Sequence, residues 1–478
     1  MQVFKYSGPT FSPYGDDNPE PIENDGLWAA PRALGPLAAS LQIPGSKSLT
    51  NRELILASLA NGPSLLRAPL HSRDTALMIE ALRSLGVSIV EVEGAGRFGP
   101  DLLITPGELE GGNAIDCGLA GTVMRFIPPL AALALGPVAF DGDPHARKRP
   151  MRTTVDALRA LGVDVNDDGR GALPFSLYGT GAVAGGAISI DASASSQFVS
   201  GLLMAAPRFT EGLQLTHTGD HLPSLPHIEM TIAALAARGV VVETPEPGVW
   251  VVPRAEIQAL DVDIEPDLSN AAPFLAAALI AGGTVTIEGW PQMTTQVGAN
   301  LERLLPLFGA RVSRGDHSLT VDGGAGLIGG ATLAGVDLNG DIEVGELAPT
   351  IVTLAALASE PSRIVGIGHL RGHETDRLAA LAAEINGLGG SVRELPDGLE
   401  IEPATLTGGT WHTYKDHRMA TSGALIGLAV ADVVVEDIAT TAKTLPQFVE
   451  LWTSMLGQIQ SDTAQGDKAQ NDQGQVGL

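Results

Sequence analysis

The sequence has few cysteine, aromatic and basic residues. Cys117 is the one cysteine among its 478 residues, which excludes an intrachain disulfide and a metal site built from several thiolates. Aromatic residues make up 4% of the chain, beside 58 glycines and 32 prolines, which favours a globular α/β enzyme over a disordered chain. The 29 basic residues face 55 acidic ones, and the net charge of -26 predicts no binding of nucleic acid or anionic membranes. An anionic ligand would therefore need a locally basic cleft.

Long hydrophobic runs are also missing. The most apolar stretch, at residues 126–140, is too short to span a bilayer and is interrupted by prolines. The beginning of the chain lacks the basic and apolar regions of a signal peptide, so we expect a cytoplasmic protein. Residues 1–26 and 460–478 contain too little apolar surface to fold and are predicted to be a disordered extension and a disordered tail.

An amphipathic helix that ends in a glycine recurs six times along the chain. In the first copy, IEALRSLGVSIVEV at residues 79–92, a helical pattern stops at the glycine and a β-branched run follows, as it does in most copies. The six glycines are 68–80 residues apart, at Gly86, Gly162, Gly239, Gly309, Gly389 and Gly457. Such even spacing predicts six α/β units of similar size.

Six units of this length predict two domains with three units each. The polar stretch at residues 263–274 is the expected boundary in the middle of the chain. Residues just before Lys47 precede the first unit and are assigned to the second domain, so the chain would cross between the domains twice. The predicted domains are residues 47–264, and residues 27–46 together with 265–459.

Basic and hydroxyl side chains recur where helices are predicted to begin. In PGSKSLTNR, residues 44–52, a glycine and two serines lead into a helix with Lys47 and Arg52, where free backbone N–H groups favour anion binding. In RGHETDRL, Glu374 and His373 are predicted to share a helix face with Arg377. Comparable segments are CGLAGTVMRF (117–126), DPHARKRPMR (143–152), DASASSQF (191–198), YKDHRMAT (414–421) and TTAKTLPQF (440–448). In an acidic chain these groups predict a cleft for phosphates or carboxylates.

These segments also resemble the motifs of a known family. PGSKSLTNR, AGTVMRF, RKRP, SSQF, ETDRL, DHRMA and AKTLPQF occur in this order between residues 44 and 448 and are similar to motifs of the 5-enolpyruvylshikimate-3-phosphate synthase family. The resemblance implies two similar α/β domains, each made of three βαβαββ repeats in an inside-out barrel-like arrangement, with the active site in the cleft between them. It implies transfer of the enolpyruvyl group of phosphoenolpyruvate to the 5-hydroxyl of shikimate 3-phosphate. Phosphate would be released in this reaction, which would be a step of the shikimate pathway to chorismate and aromatic amino acids.

The resemblance also implies the residues that bind each substrate. Phosphoenolpyruvate would contact Lys47, Gly121, Arg149, Gln197, Arg377, Arg418 and Lys443. Shikimate 3-phosphate would contact Lys47, Ser48, Arg52, Ser195, Ser196, Gln197, Ser224, Glu346, His369 and His373. The arginine fork suits both ligands because it binds carboxylate and phosphate groups bidentately. These two small molecules are the implied partners of a monomer that uses no metal and no other cofactor.

Proton transfer is implied for Glu346, Glu374, Lys47 and His373. The reaction needs a base for the 5-hydroxyl and an acid that protonates the enol carbon. Glu346 matches an aspartate that handles the hydroxyl proton in the family, with a longer side chain, and Glu374 is the other candidate. His373 and His369 replace the usual lysine and asparagine, and a histidine at 373 would make binding or turnover more pH-dependent near neutrality.

Two other functions remain open from the sequence. The sister enolpyruvyl transferase that acts on UDP-N-acetylglucosamine shares the fold but typically has a reactive cysteine on the loop matching DPHARKRP, where this chain has none. A non-catalytic anion-binding protein of the same fold would have lost its proton-transfer residues, whereas Glu346, Glu374 and Arg377 are present.

Overall fold

The computed structural model describes residues 26–94 and 96–457, so the predicted N-terminal extension, apart from Gly26, and the predicted tail lie outside the described residues. The strands of this part are β1 Leu27–Ala29, β2 Leu37–Gln42, β3 Ser64–Arg67, β4 Ser88–Val92, β5 Asp101–Thr105, β6 Asn113–Asp116, β7 Leu135–Asp141, β8 Asp164–Asn166, β9 Phe175–Thr180, β10 Gly186–Ile190, β11 Leu213–His217, β12 Val249–Val252, β13 Val262–Asp263, β14 Gly283–Glu288, β15 Arg311–Arg314, β16 Ser318–Asp322, β17 Asp337–Leu338, β18 Ser362–Val365, β19 Ser391–Leu395, β20 Gly398–Glu402, β21 Gly409–Trp411 and β22 Val433–Glu436. The α-helices are α1 Lys47–Leu59, α2 Arg73–Ser84, α3 Gly121–Ala131, α4 Arg152–Ala160, α5 Gln197–Ala205, α6 Leu225–Ala237, α7 Leu268–Ala281, α8 Leu301–Leu307, α9 Ala348–Ala356, α10 Arg377–Gly387, α11 His417–Gly427 and α12 Phe448–Met455.

The strands form small mixed sheets that repeat one pairing pattern. Each sheet contains a parallel pair, and a third strand pairs antiparallel with the second member of that pair. The parallel pairs are β13 with β3, β6 with β7, β10 with β11, β2 with β14, β17 with β18, and β21 with β22. The six α/β units predicted from the glycine spacing are therefore present, and the sheets are open rather than closed into a barrel.

The six predicted glycines all lie just beyond the end of a helix. Their φ angles range from 69° at Gly457 to 104° at Gly309, a backbone conformation that residues with a Cβ rarely adopt. The strand predicted after Gly239 is absent, because residues 240–244 make only one isolated bridge, between Glu243 and Val251. A β-branched run without a partner strand has no hydrogen-bonding ladder to stabilise it.

Each half of the chain has its own hydrophobic core. One core contains residues 54–264, and the other contains residues 33–43 together with 268–455. Three helices lie at the centre of each core and pack on one another, α1 with α3 and α5 in the first, and α7 with α9 and α11 in the second. Every residue of α3, α7, α9 and α11 is buried, and the buried residues include polar side chains, such as Arg125 in α3 and Arg418 in α11.

Two segments connect the cores and pair with each other. The N–H of Ser46 donates to the carbonyl of Glu265 at 2.7 Å, and the N–H of Asp267 donates to the carbonyl of Pro44 at 2.9 Å. Strand β2 precedes α1 but pairs with β14, whereas β13 precedes α7 but pairs with β3. The chain therefore crosses between the cores at two adjacent points. No helix in residues 26–94 and 96–457 is long and apolar enough to cross a membrane.

Candidate active site

The central helices of both cores begin at the cleft between them. The carboxylate of Asp267, which caps α7, accepts a hydrogen bond from the N–H of Lys47 at 3.1 Å, so α1 and α7 begin side by side. In the first core, a Cβ added to Gly121 at the start of α3 would lie 3.0 Å from Oε1 of Gln197 at the start of α5. Helix N-termini present free N–H groups and the positive end of the helix dipole, so the cleft favours anions.

Two lysines extend into this cleft from different elements. The Nζ atom of Lys47 lies 3.5 Å from Oδ2 of Asp74, and Nζ of Lys443 lies 2.6 Å from Oε1 of Glu374. Lys443 also reaches the carbonyl of Leu119 in the other core, at 3.4 Å. Burial lowers the pKa of Lys47, but the carboxylates of Asp74, Glu374 and Glu346 together raise this pKa above its ordinary value. Lys47 is therefore a cation at neutral pH.

Arg377 organises the acidic residues of the second core. Its guanidinium binds Asp416 through two hydrogen bonds of 2.8 and 3.1 Å and lies 3.4 Å from Oε2 of Glu374. Its Nη1 lies 3.2 Å from Nδ1 of His373. The prediction that these residues share a helix face is wrong. Asp376 caps α10 and Arg377 is the first residue of this helix, so His373 and Glu374 precede it. They reach Arg377 from the loop instead.

Arg149 and Gly121 lie together at the wall formed by the first core. Nη1 of Arg149 donates to the carbonyl of Leu119 at 3.1 Å, and among the described residues its Nε has no hydrogen-bond partner. A Cβ on Gly121 would lie 3.0 Å from Nη2 of Arg149, so only glycine leaves this space open. Arg125 holds the amide oxygen of Gln197 at 3.2 Å and thereby orients that side chain beside Arg149.

Glu346 lies in a short 3₁₀ turn that leads into α9, at the second wall of the cleft. Its Oε2 is 3.2 Å from Nη2 of Arg418, and its Oε1 is 3.9 Å from Nε2 of His227 in the other core. Burial alone would raise the pKa of Glu346, but His227, Arg418 and Lys47 oppose burial and lower it well below its ordinary value. Glu346 is therefore a carboxylate that can accept a proton.

A cavity of about 760 Å³ opens beside Glu346 between the two cores. Its lining includes Ser224 and His369, one from each core, and Gly345, which precedes Glu346. Ser195 and Ser196 follow directly on the lining residue Ala194, and the hydroxyl of Ser195 accepts a hydrogen bond from the N–H of Gln197 at 3.2 Å. Of the residues predicted to bind shikimate 3-phosphate, Ser224 and His369 line this cavity, and Ser195, Glu346 and His373 each follow a lining residue in the chain.

Arg52 is held in place by hydrogen bonds to uncharged groups of the first core. Its guanidinium is buried, and it donates to the hydroxyl of Thr231 at 2.8 Å, the carbonyl of Ser48 at 2.9 Å and the carbonyl of His227 at 2.9 Å. Burial lowers the pKa of Arg52 to about 10. Arg52 thus joins the start of α1 to the start of α6.

Two histidines beside the cavity are held neutral. Burial lowers the pKa of His369 to about 4, and burial together with Arg377 lowers the pKa of His373 well below its ordinary value. Their rings are 5.8 Å apart between centroids. The titration near neutrality that the sequence suggested for His373 therefore moves to acidic pH.

Comparison with known proteins identifies the family. The family model for EPSP synthase (3-phosphoshikimate 1-carboxyvinyltransferase) matches residues 31–452. The 3-phosphoshikimate 1-carboxyvinyltransferase of Kocuria rhizophila is 56% identical over 439 residues, which cover 91% of this chain and 97% of that protein. This chain belongs to the EPSP synthase family.

Solved structures of lower identity share the fold of this EPSP synthase family member. The EPSP synthase from Acinetobacter baumannii superposes with a TM-score of 0.73 at 22% identity, covering 90% of this chain and 98% of that one. The enolpyruvyl transferase NikO from Streptomyces tendae superposes with a TM-score of 0.68 at 18% identity, covering 89% and 96%. The predicted fold class is thus confirmed, as is the predicted family.

Sequence reasoning missed several residues that hold the site of this EPSP synthase family member together. Asp74 and Asp416 pair with predicted cations, Asp267 joins α1 to α7, and His227 faces Glu346. These partners are distant in sequence from the groups they contact, so no local spacing could reveal them. For His227 alone, the sequence contains a weak indication of a place in the site, because His227 lies in the first turn of a helix, three residues after the predicted ligand Ser224.

The structure also gathers three groups that could ligate a metal ion. Glu374, Asp416 and His417 each offer an atom within 4.8 Å of the others. Arg377 and Lys443 already bind the carboxylates of this group, and two cations at this distance oppose a divalent ion. We therefore assign these acids to ion pairs that hold the cationic side chains in place.

Proposed function

We propose that this EPSP synthase family member binds phosphoenolpyruvate and shikimate 3-phosphate together in the cleft between its cores. The enolpyruvyl group passes to the 5-hydroxyl of shikimate 3-phosphate, and phosphate leaves. The observation that carries the proposal is a group of cations from both cores around the carboxylates of Glu346 and Glu374, of which Arg377, Arg418 and Lys443 are buried and bind these carboxylates. The cations are Lys47, Arg149, Arg377, Arg418 and Lys443.

The proposed phosphoenolpyruvate site lies where Arg149, Lys443 and Gly121 meet. Both cations already share the carbonyl of Leu119, and the open space at Gly121 lets an anion approach the first N–H groups of α3. Arg377, Arg418 and Lys47 complete the proposed set, and Gln197 is placed between the two substrates. Cations fixed in advance around the phosphate stabilise the charge that develops as it leaves.

Glu346 is the proposed base. Its carboxylate is ionised, adjoins the 760 Å³ cavity proposed for shikimate 3-phosphate, and can accept the proton of the 5-hydroxyl as that oxygen attacks C2 of phosphoenolpyruvate. Ser224 and His369 would contact the shikimate ring from opposite walls. Ser48, Arg52, Ser195, Ser196 and His373 remain in the proposed shikimate 3-phosphate set.

Glu374 is the proposed acid, and we propose that binding of phosphoenolpyruvate allows its carboxylate to take up the proton that it donates. Burial raises the pKa of Glu374, but Lys443, His417 and Arg377 overcome burial and lower this pKa well below its ordinary value. A bound phosphate competes for Lys443 and Arg377, which removes the groups that keep Glu374 ionised. Glu374 can then take up a proton and deliver it to C3, with the cationic Lys47 as the second proposed donor. When the C2–O bond to phosphate breaks, C3 returns a proton to the Glu374 carboxylate and the enol double bond forms again.

The proposed domains follow the two cores. Residues 47–264 would form one domain, and residues 27–46 with 265–459 the other, which is supported by the two hydrophobic cores and the paired crossover segments. We further propose a cytoplasmic monomer that binds no nucleic acid. The net charge of -26 supports the absence of nucleic-acid binding, because like charges repel.

A choice of acceptor tests the proposed function. Purified protein is incubated with phosphoenolpyruvate and either shikimate 3-phosphate or UDP-N-acetylglucosamine, and inorganic phosphate is measured. We expect phosphate release with shikimate 3-phosphate and none with the nucleotide sugar or without an acceptor. Release with UDP-N-acetylglucosamine alone would overturn the proposal in favour of the sister enzyme, and no release with either would favour a non-catalytic protein.

A further inference from the structure

His227 holds a fixed place at the wall formed by the first core. It is the third residue of α6, and its carbonyl accepts hydrogen bonds from Nη2 of Arg52 at 2.9 Å and from the hydroxyl of Thr231 at 3.0 Å. Arg52 is itself bonded to the carbonyl of Ser48 in α1. The backbone of His227 is thereby tied to the helix that carries Lys47, and its imidazole extends toward the opposite core.

The imidazole faces one oxygen of the proposed base. Nε2 of His227 lies 3.9 Å from Oε1 of Glu346, while Arg418 binds the other oxygen, Oε2, at 3.2 Å. The His227 side chain is 14% exposed and that of Glu346 is 25% exposed, so water screens this contact only partly. A distance of 3.9 Å is too long for a hydrogen bond, but an approach of the two cores by about 1 Å would form one.

We propose that His227 is a positioning residue for Glu346, whose carboxylate it orients by donating Nε2–H to Oε1 when the cleft closes on its substrates. This inference rests on the proposed function, because it assigns a role in the same reaction. Arg418 and His227 then hold the two oxygens of Glu346 from opposite cores. The base is fully oriented only when both cores surround the substrates.

The charges around His227 favour an uncharged donor. Burial lowers the pKa of His227, Arg52 and Lys47 lower it further, and Glu346 and Asp267 only partly oppose them. A neutral imidazole keeps one N–H, and donation to Glu346 places that proton on Nε2. A neutral donor orients the carboxylate without adding the full charge of a second arginine, so Glu346 remains a better base.

Steady-state kinetics on three variants of the full chain test this role. His227→Phe removes the donor, His227→Gln keeps an amide N–H near the same place, and His317→Phe changes an exposed histidine outside the cleft. We expect His227→Phe to lower kcat about 100-fold, with the KM for phosphoenolpyruvate within about 2-fold, because a misplaced group loses about that much rate. His227→Gln should recover most of kcat, and His317→Phe should match the wild type.

The pH profile separates positioning from a merely structural role. Because a hydrogen bond donated by His227 stabilises the carboxylate form of Glu346, removal of the donor should move the acid limb of kcat to higher pH, and His227→Gln should move it less. Should His227→Phe fail to fold, as judged by thermal unfolding, His227→Leu replaces it in the same comparison.

Three results would overturn the inference while leaving the proposed function intact. With an active wild type, they are wild-type kcat in the apolar variant, a glutamine variant as slow as the apolar one, and an acid limb in the apolar variant at the same pH as in the wild type. A wild type that releases no phosphate from shikimate 3-phosphate and phosphoenolpyruvate would overturn both.

Discussion

Arg149 and Lys443 donate to the same carbonyl, that of Leu119, from opposite sides of the cleft. The two distances are 3.1 and 3.4 Å, and Lys443 simultaneously lies 2.6 Å from Glu374. One peptide group of the first core therefore holds a cation from each core beside a carboxylate of the second. An arriving phosphate would meet cations that are already in place, which reduces the cost of organising them.

Arg149 should contribute to binding of phosphoenolpyruvate. Arg149→Ala removes a half-buried cation and is expected to weaken phosphoenolpyruvate binding about 10- to 100-fold, the usual loss of a charge-assisted hydrogen bond. Arg147→Ala is the matched control, because Arg147 is exposed on the same segment and pairs with Asp141 at 2.7 Å. Titration calorimetry in the presence of shikimate 3-phosphate measures both. Equal affinities for Arg149→Ala and the wild type would remove Arg149 from the site.

Glu346 should be required for turnover rather than for binding. Glu346→Gln keeps the shape of the side chain but removes the proton acceptor, so we expect kcat to fall by roughly 10²- to 10⁴-fold with substrate affinities nearly unchanged. Glu360→Gln, at an exposed position after α9, is the control. Rapid-quench measurement of one turnover reports the chemical step directly, and a near-normal rate in Glu346→Gln would exclude it as the base.

His373 should not titrate in the neutral range. Burial and Arg377 hold the pKa of His373 well below its ordinary value, so the imidazole is neutral between about pH 6 and 8. The pH dependence of kcat over this range should therefore be parallel in His373→Lys and the wild type. An inflection near pH 6.5 in the wild type that disappears in the variant would show that His373 titrates after all.

Stability should fall as the pH falls from about 6.5 to about 4, in part because of His369. An unfolded histidine binds a proton near pH 6.5, whereas burial delays protonation of His369 to a pKa of about 4. Between these values the unfolded chain binds more protons, so acid favours unfolding, by at most about 1.4 kcal/mol per pH unit for this group. His369→Asn should reduce the slope seen by urea unfolding, and the exposed His317→Asn should not. An unchanged slope in His369→Asn would contradict the burial argument.

The repeated fold could be predicted because its signals are local. Each unit has a glycine directly after a helix, where the backbone needs a positive φ angle, and this glycine can be recognised in the sequence. Gly86, Gly162 and the other four predicted glycines all have positive φ. The strand predicted after Gly239 does not form because a strand needs a partner, and residues 240–244 make a single β-bridge, between Glu243 and Val251. The β-branched residues after Gly239 favour a strand by composition, but no neighbouring strand pairs with them.

The site could be predicted only in part, for the same reason. Basic residues in the first turn of a helix, such as Lys47 and Arg418, could be predicted because the start of a helix has a recognisable sequence pattern. The acids that pair with them come from elsewhere in the fold, as Asp74 does for Lys47 and Asp416 for Arg377. Burial is likewise a property of the folded chain, so the lowered pKa of His373 could not be read from residue type.

The central claim is that the cleft between the cores transfers an enolpyruvyl group from one anionic substrate to another. A single reaction of the purified protein with equal amounts of shikimate 3-phosphate and phosphoenolpyruvate, followed by phosphorus and proton NMR, tests it most directly. We predict that inorganic phosphate and an enolpyruvyl ether at the 5-oxygen of shikimate 3-phosphate appear in equal amounts. Phosphate without the ether, or neither product, would contradict the account.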